Sequence, residues 1–313
     1  SKPEDAHLAM LRIVGDLDGK PVFKDWDVTI LAVLPNEKPK PILRMQGYNA
    51  GRLISKPDGG HEWVTREVSY YQDLASGEII ERWTNPLNGK TVCVVQVAND
   101  PVSNVFPPAS KDRANPFAAF RLAGDVATLR WDIPLAYPNA LQPAEHPEES
   151  TGPTYLASEH FTFFANTADV LSDSQRSTPT HYSWFRTGPW LPWMKMGQAP
   201  GYLIYSGHGR KYGSFDELPA RVREYTLKHF PAFATAPESF YQPNETSWTY
   251  YAKLKKAGKL PTDCRYGLRH APATHRSPEP RPGPAARSSR FSLQPRARTS
   301  AVRTRRCYRN GGC

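Results

Sequence analysis

Between Pro21 and Gly213 the chain is strand-like and several runs alternate apolar and polar residues with a period of two, and on either side of that stretch the period lengthens to that of a helix. The alternation is plainest in "VATLRWDIPLAY", where Leu129, Trp131 and Ile133 fall on one face and Thr128, Arg130 and Asp132 on the other. "PVFKDWDVTILAVL", "PILRMQGYNAGRLI", "EWVTREVSYYQD", "GEIIERWTN" and "KTVCVVQVAND" precede it, and "SEHFTFFANTADVL", "THYSWFRTG" and "PGYLIYSGHGRKYG" follow. The breaks "LASG" and "PLNG" are short enough for tight turns, so consecutive runs are expected to pair antiparallel. At the N-terminus "PEDAHLAMLRIVG" predicts a short helix, with Pro3 and two acids in its first turn and Gly15 after its last. Near the other end "SFDELPARVREYTLKHF" carries the capping-box pattern Ser214-x-x-Glu217 and sets Leu218, Val222 and Tyr225 on one helical face. "ETSWTYYAKLKKAG" predicts a last helix stopping at Gly258.

These elements predict a mainly β (α+β) fold, with nine or ten antiparallel strands, an N-terminal helix and two C-terminal helices. So long a meander would leave exposed edges, which closure removes. The expectation is therefore an antiparallel β-barrel or strongly curved sheet enclosing a cavity, in a single domain over residues 1–262. A closed sheet of this size has room for one small ligand.

Composition changes that picture only at the C-terminus. The net charge of +10 suggests a nucleic-acid binder, but Arg265 to Cys313 alone holds 12 arginines, no lysine and one acid. The preceding residues then have 28 bases against 29 acids and are nearly neutral. The tail, 263–313, has few large aliphatics and no periodicity, so it is expected to be disordered, an arginine-rich arm or the product of GC-rich DNA read out of frame. No nucleic-acid partner is expected. No apolar run is long enough for a membrane span, and a cytoplasmic location is expected. Cys93, Cys264, Cys307 and Cys313 form no zinc-like spacing and are expected as thiols.

The usual catalytic signatures, GxSxG, HExxH, GxGxxG and phosphate loops, are absent from the sequence. The chemistry must come from dispersed side chains. In "EHFTFFAN" alternation groups His160, Thr162, Phe164 and Asn166, here taken as the inward set, against Glu159, Phe161 and Phe163. In "HYSWFRTGPW" it groups Tyr182, Trp184 and Arg186 against His181, Ser183 and Phe185. An inward Arg186 needs a carboxylate, for which Asp132 and Asp100 are the candidates. "SGHGRKYG" around His208 reads as a turn with Arg210 and Lys211 beside it. Three histidines, His160, His181 and His208, would have to converge for a metal site, and no metal or other cofactor is expected. All eight tryptophans precede the tail, three of them in "WFRTGPWLPWMKMG". An aromatic cavity with a few polar tips suits a hydrophobic small molecule. The expected catalytic residues are Arg186, His181, His160 and Tyr182; the expected walls are Trp184, Trp190, Trp193, Met194, Met196, Trp131 and Phe164.

"REVSYYQDLASGEIIERWTNPLNGKTVCVVQVANDPV" (66–102) and "WFRTGPWLPWMKMGQAPGYLIYSGHGRK" (184–211) resemble the bacterial and fungal family called "domain of unknown function 1838", over about residues 8–260. More distantly the chain resembles proteins assigned to norbornene-forming Diels–Alder cyclisation in sordarin-type diterpenoid biosynthesis. That likeness implies a cofactor-independent cyclase or isomerase acting on a terpenoid or polyketide intermediate in fungal natural-product biosynthesis, and assigns no catalytic residue. A non-catalytic carrier with the same cavity and a metal-dependent hydrolase or dehydratase are the alternatives. The oligomeric state stays open.

Overall fold

The computed structural model describes residues 3–108 and 118–264, all within one compact unit, Ser1–Pro272. The predicted tail lies outside the described residues except for Asp263 and Cys264. Helix α1 (Pro3–Val14) leads into β1 (Val22–Val33), β2 (Lys40–Ser55) and β3 (His61–Gln72). Five short strands follow: β4 (Arg82–Thr84), β5 (Thr91–Cys93), β6 (Val97–Asn99), β7 (Asn104–Phe106) and β8 (Ala118–Ala123). Then come β9 (Val126–Pro138), β10 (Thr154–Asn166), α2 (Thr167–Leu171), β11 (His181–Gly188), β12 (Tyr202–Tyr212), α3 (Ala220–His229) and α4 (Ser247–Lys256). The fold is mainly β and antiparallel, with four α-helices among the described residues.

Ten strands make one sheet in the order β6-β3-β2-β1-β12-β11-β10-β9-β8, with β7 also on β3. The first and last long strands therefore pair, joining an N-terminal half to a C-terminal half. The expected barrel would also need the two ends to hydrogen-bond, and among the described residues they do not. Their side chains nevertheless meet. Phe106 on β7 lies 5.6 Å from Trp131 on β9, although six strands separate them in the order. Laid flat, at about 4.8 Å per strand, those two strands would be roughly 30 Å apart.

Each long strand divides its residues between two faces, as alternation demands. Val22, Lys24, Trp26, Val28 and Ile30 of β1 share the inner face with Leu43, Met45 and Leu53 of β2 and Trp63 and Tyr71 of β3. The C-terminal half contributes Leu129, Phe163, Tyr182 and Tyr205. Helix α1 buries Ala9 to Val14 against residues of both halves. Trp248 and Tyr251 of α4 join Trp190, Trp193 and Tyr155 in a second cluster. On the outer face α3 and the turn after it cover Tyr48, Val68 and Tyr70 with Val222, Phe230 and Phe233.

Several local expectations need correction. The predicted helix from Ser214 is broken: a 3-10 turn spans Phe215–Glu217, Ser214 makes no side-chain cap, and α3 begins only after Pro219, whose ring cannot sit inside a helix. The "GEIIERWTN" and "KTVCVVQVAND" runs do not continue the meander as long strands; β4 and β5 form a separate two-stranded ribbon, while a single bridge at Ile79 and the short strand β6 pair with β3. "SGHGRKYG" is strand, not turn. Cys93 is not a thiol but is disulfide-bonded to Cys264.

Candidate functional site

The inner face is not equally filled. On β1 and β3 most inward side chains are fully buried, whereas Trp131 and Tyr137 of β9, Ala157, Glu159 and Phe161 of β10, and Trp184 of β11 keep partial exposure. So do Asn49 and Glu67, in mid-strand on β2 and β3. At these inward positions other protein atoms do not cover the side chains completely.

Arg186 stands at the centre of this region. β10 and β11 pair so that Arg186 lies directly opposite Glu159, and its Nε donates to Glu159 Oε1 at 3.1 Å. Nη2 donates to the Tyr155 hydroxyl. The guanidinium lies 4.8 Å from the Tyr205 ring and 5.7 Å from that of Trp248. A side chain at Gly188 would place its Cβ 2.9 Å from Nη1, so glycine there makes room for the guanidinium. Burial alone would lower the Arg186 pKa, but the phenols of Tyr155 and Tyr205 and the Glu159 carboxylate more than offset it, and the net shift is upward. The cation is fixed in place and stays charged.

A second carboxyl, Glu67, lies on the same face. Glu67 accepts from Asn99 Nδ2 at 2.7 Å. Burial pushes its pKa up to about 7, with the Asn99 hydrogen bond opposing, Glu159 adding to the rise and Arg186 opposing. Glu67 is on β3 and Glu159 on β10, so strands far apart in the sheet order carry charges that act on each other. Glu67 retains some accessible surface although burial dominates its titration. A carboxyl that is part-protonated at neutral pH is suited to general acid–base work. Around the cluster the indole Nε1 atoms of Trp184, Trp193 and Trp248 are buried with no hydrogen-bond partner among the described residues. Buried donors are normally paired, and ligand or water is the usual remedy where protein is not.

The sequence-derived candidates separate between the two faces. Arg186, Tyr182, Trp184 and Trp131 are inward. Tyr182 is buried and its hydroxyl donates to the Asp25 carbonyl on the neighbouring sheet backbone. His160, Phe164 and His181 lie on the outer face, the reverse of the parity expected for β10. There the inward set is Tyr155, Ala157, Glu159, Phe161, Phe163 and Ala165, because it carries most of the strand's apolar surface. His160 Nδ1 is 2.8 Å from Asp132 Oδ1, and Arg130 holds the same carboxylate at 3.0 Å. Asp132 is therefore not the partner of Arg186, and neither is Asp100, which pairs with Arg66 at 3.3 Å. His181 lines an outer groove of about 340 Å³ with Thr180, Arg210, Tyr212 and Glu217. His160, His181 and His208 do not converge, and no group of three metal-ligating side chains occurs among the described residues.

The "WLPWMKM" segment is packed as core. Trp190 is fully buried, with its Nε1 donating to the Ala199 carbonyl at 2.9 Å. Trp193 meets Tyr71 and Trp83 edge-on at 5.1 and 5.6 Å, and Met194 is fully buried in a 3-10 turn. Met196 is half-buried with its sulfur 3.2 Å from Asn85 Nδ2. Sequence reasoning missed Glu159, Tyr155, Tyr205 and Trp248, brought to Arg186 by strand pairing or by α4, and Glu67, which lies on the distant strand β3.

Among the described residues no helix is long and apolar enough to cross a membrane. No curated protein matches the chain. One family model matches residues 19–255, and the chain belongs to that family, described as Protein of unknown function (DUF1838).

Proposed function

We propose that the sheet rolls around a ligand chamber in which the protein isomerises or cyclises a hydrophobic, carbonyl-bearing small molecule, using its own side chains without a cofactor. The observation that carries this reading is the Arg186–Glu159–Tyr155 cluster, buried among aromatics beside a carboxyl that titrates near neutrality. Arg186 Nη1 would polarise the carbonyl, stabilising charge that develops during reaction. Glu67 would give or take the proton that an isomerisation requires. An intramolecular cyclisation needs only the polarising cation and a restrained reactive conformer, and such restraint contributes up to about 7–11 kcal/mol in favourable cases. A terpenoid or polyketide intermediate of natural-product biosynthesis fits an aromatic wall with few polar contacts.

The test is turnover. Catalytic amounts of the purified full chain are incubated with a panel of polyene and diene ketones and aldehydes, and products are counted per chain. More than one product molecule per chain is expected. Arg186→Lys should cut the rate about 100-fold for any substrate, since one preorganised donor is commonly worth that much. Glu67→Gln should do so only where a proton moves, which separates isomerisation from cycloaddition. Full rates in both variants would overturn the proposal. Binding of one unchanged molecule per chain would assign a carrier instead.

A further inference from the structure

Strand register lines up five polar residues across the inner face: Lys211 on β12, Lys24 on β1, Asn49 on β2, Glu67 on β3 and Asn99 on β6. Most of them are accounted for. Lys211 donates to the Arg12 and Gly15 carbonyls at the end of α1, where the helix dipole favours a cation. Glu67 and Asn99 bond to each other. Lys24 is different. It is 8% exposed, and its amine lies 4.5 Å from the Trp63 ring. Among the described residues no carboxylate, carbonyl or hydroxyl accepts from it. Next to it the Asn49 Oδ1 is buried without a partner among the described residues. Burial lowers the Lys24 pKa to about 7. A ring face offsets only part of the cost of burying an ammonium, so the pair is incomplete without a third group.

The inner face also connects this pair to Arg186. Trp26, two residues along β1 from Lys24, lies 5.8 Å from Trp184, and Trp184 precedes Arg186 by two on β11. We propose that Lys24 and Asn49 form a head-group subsite that takes the carboxylate of a hydrophobic acid, with the acid's apolar body lying along Trp26 and Trp184 toward Arg186. With its amide turned over, Asn49 offers Nδ2 to one carboxylate oxygen while Lys24 takes the other. A single free ammonium matches a singly charged group. Lys211 beside it already donates to the Arg12 and Gly15 carbonyls, so a diphosphate would bring more charge than the one free ammonium neutralises, next to the Glu67 carboxyl. The subsite rests on the chamber reading above, and names the class of molecule the chamber takes.

The experiment measures binding of C15 and C20 polyprenyl carboxylic acids, their methyl esters and the matching diphosphates to the full chain by calorimetry. The same titrations use Lys24→Met and Lys24→Gln, with thermal melting of each variant. The acid should bind wild type about 10–100-fold more tightly than the ester, the usual range for a hydrogen bond to a charged group. Both variants should lose that margin, keep the ester affinity, and melt at the same temperature or higher, since no charge is left to bury. Equal binding of acid and ester by wild type, a margin that survives in both variants, or a diphosphate that outbinds the acid would each overturn the subsite while leaving the chamber. Loss of ester binding together with a large fall in melting temperature would make Lys24 a packing residue and also overturn it. Failure of both acid and ester to bind wild type would overturn the chamber and the subsite together.

Discussion

Glu159 and His160 are consecutive residues of β10, yet they belong to two ion-pair clusters on opposite faces of the same strands. Outward, Asp132 holds His160 and Arg130 with side chains about 40 to 60% exposed. Inward, Glu159 and Arg186 are only 22% and 9% exposed, and phenol and indole rings close around the guanidinium. The contact lengths are similar; the surroundings are not. Water screens the outer pair, so its net effect on stability is small. The inner pair costs desolvation to assemble, but once assembled neither partner can be removed cheaply. Such an arrangement keeps a charge oriented in a dry interior, which is what a polarising group requires.

Breaking the inner pair should have the largest effect. Arg186→Leu would leave Glu159 without its cation and Tyr155 without a donor, and should lower unfolding free energy by about 3 kcal/mol or more in urea titration. The double variant Arg186→Met with Glu159→Leu removes both charges and should recover most of that loss. A double variant as unstable as the single one would mean that Glu159 does not depend on Arg186, and the contrast between faces would fail.

The inner face should also give the protein an unusual pH dependence. Glu67 has a folded pKa raised to about 7, so between its unfolded value near 4.5 and pH 7 the folded state holds more protons than the unfolded one. Stability contributed by that group is complete below pH 4.5 and is lost as pH rises to 7. Lys24 and Lys211 are both lowered to about 7 by burial, with the charge of Lys24 also acting on Lys211. Their contribution is complete above pH 10.5 and is lost as pH falls to 7. Stability from these three groups therefore passes through a minimum near neutrality. The basic limb, carried by two buried amines, should exceed the acidic one, which should span about 1–3 kcal/mol because Glu67 is partly accessible. Glu67→Gln should flatten the acidic limb alone and Lys24→Met should flatten part of the basic one, as followed by denaturant midpoints from pH 4.5 to 10.5. A single maximum near pH 7 that both variants leave unchanged would show that these groups are solvated.

The difference between the faces was only partly visible in the chain. Alternation placed Tyr182, Trp184 and Arg186 on one face of β11, and Trp131 inward on β9, because those strands contrast strongly from one residue to the next. On β10 the polar appearance of His160, Thr162 and Asn166 suggested pocket donors, and the inward parity was taken from them. Apolar weight would have decided otherwise: Tyr155, Phe161 and Phe163 share the parity of Glu159. The partner of Arg186 follows from the Glu159–Arg186 register, which depends on how β10 and β11 align across a long connection. Pairing of β1 with β12 joins residues nearly two hundred positions apart, and no local pattern encodes it. That pairing is what sets Lys24 beside Lys211. The disulfide was hidden for the same reason, since Cys93 and Cys264 are 171 residues apart.

The outer cluster supplies the smallest effect and the sharpest control. Asp132→Asn removes the charge that faces both His160 and Arg130, and two histidine-centred candidates for catalysis lie on this side of the sheet, His160 and His181. If solvent exposure decides the worth of a pair, Asp132→Asn should change unfolding free energy by at most about 1 kcal/mol, and less at high salt. His160→Ala and His181→Ala should leave turnover of any chamber substrate within about twofold, because a proton donor must reach the reacting atom to matter. The sheet itself stands between these imidazoles and the inner cluster. A tenfold loss of turnover in either histidine variant, with the melting temperature unchanged, would move the chemistry to the outer face. The groove of His181, Arg210 and Glu217 would then be the place to look, and Arg186 would be reduced to holding the strands together.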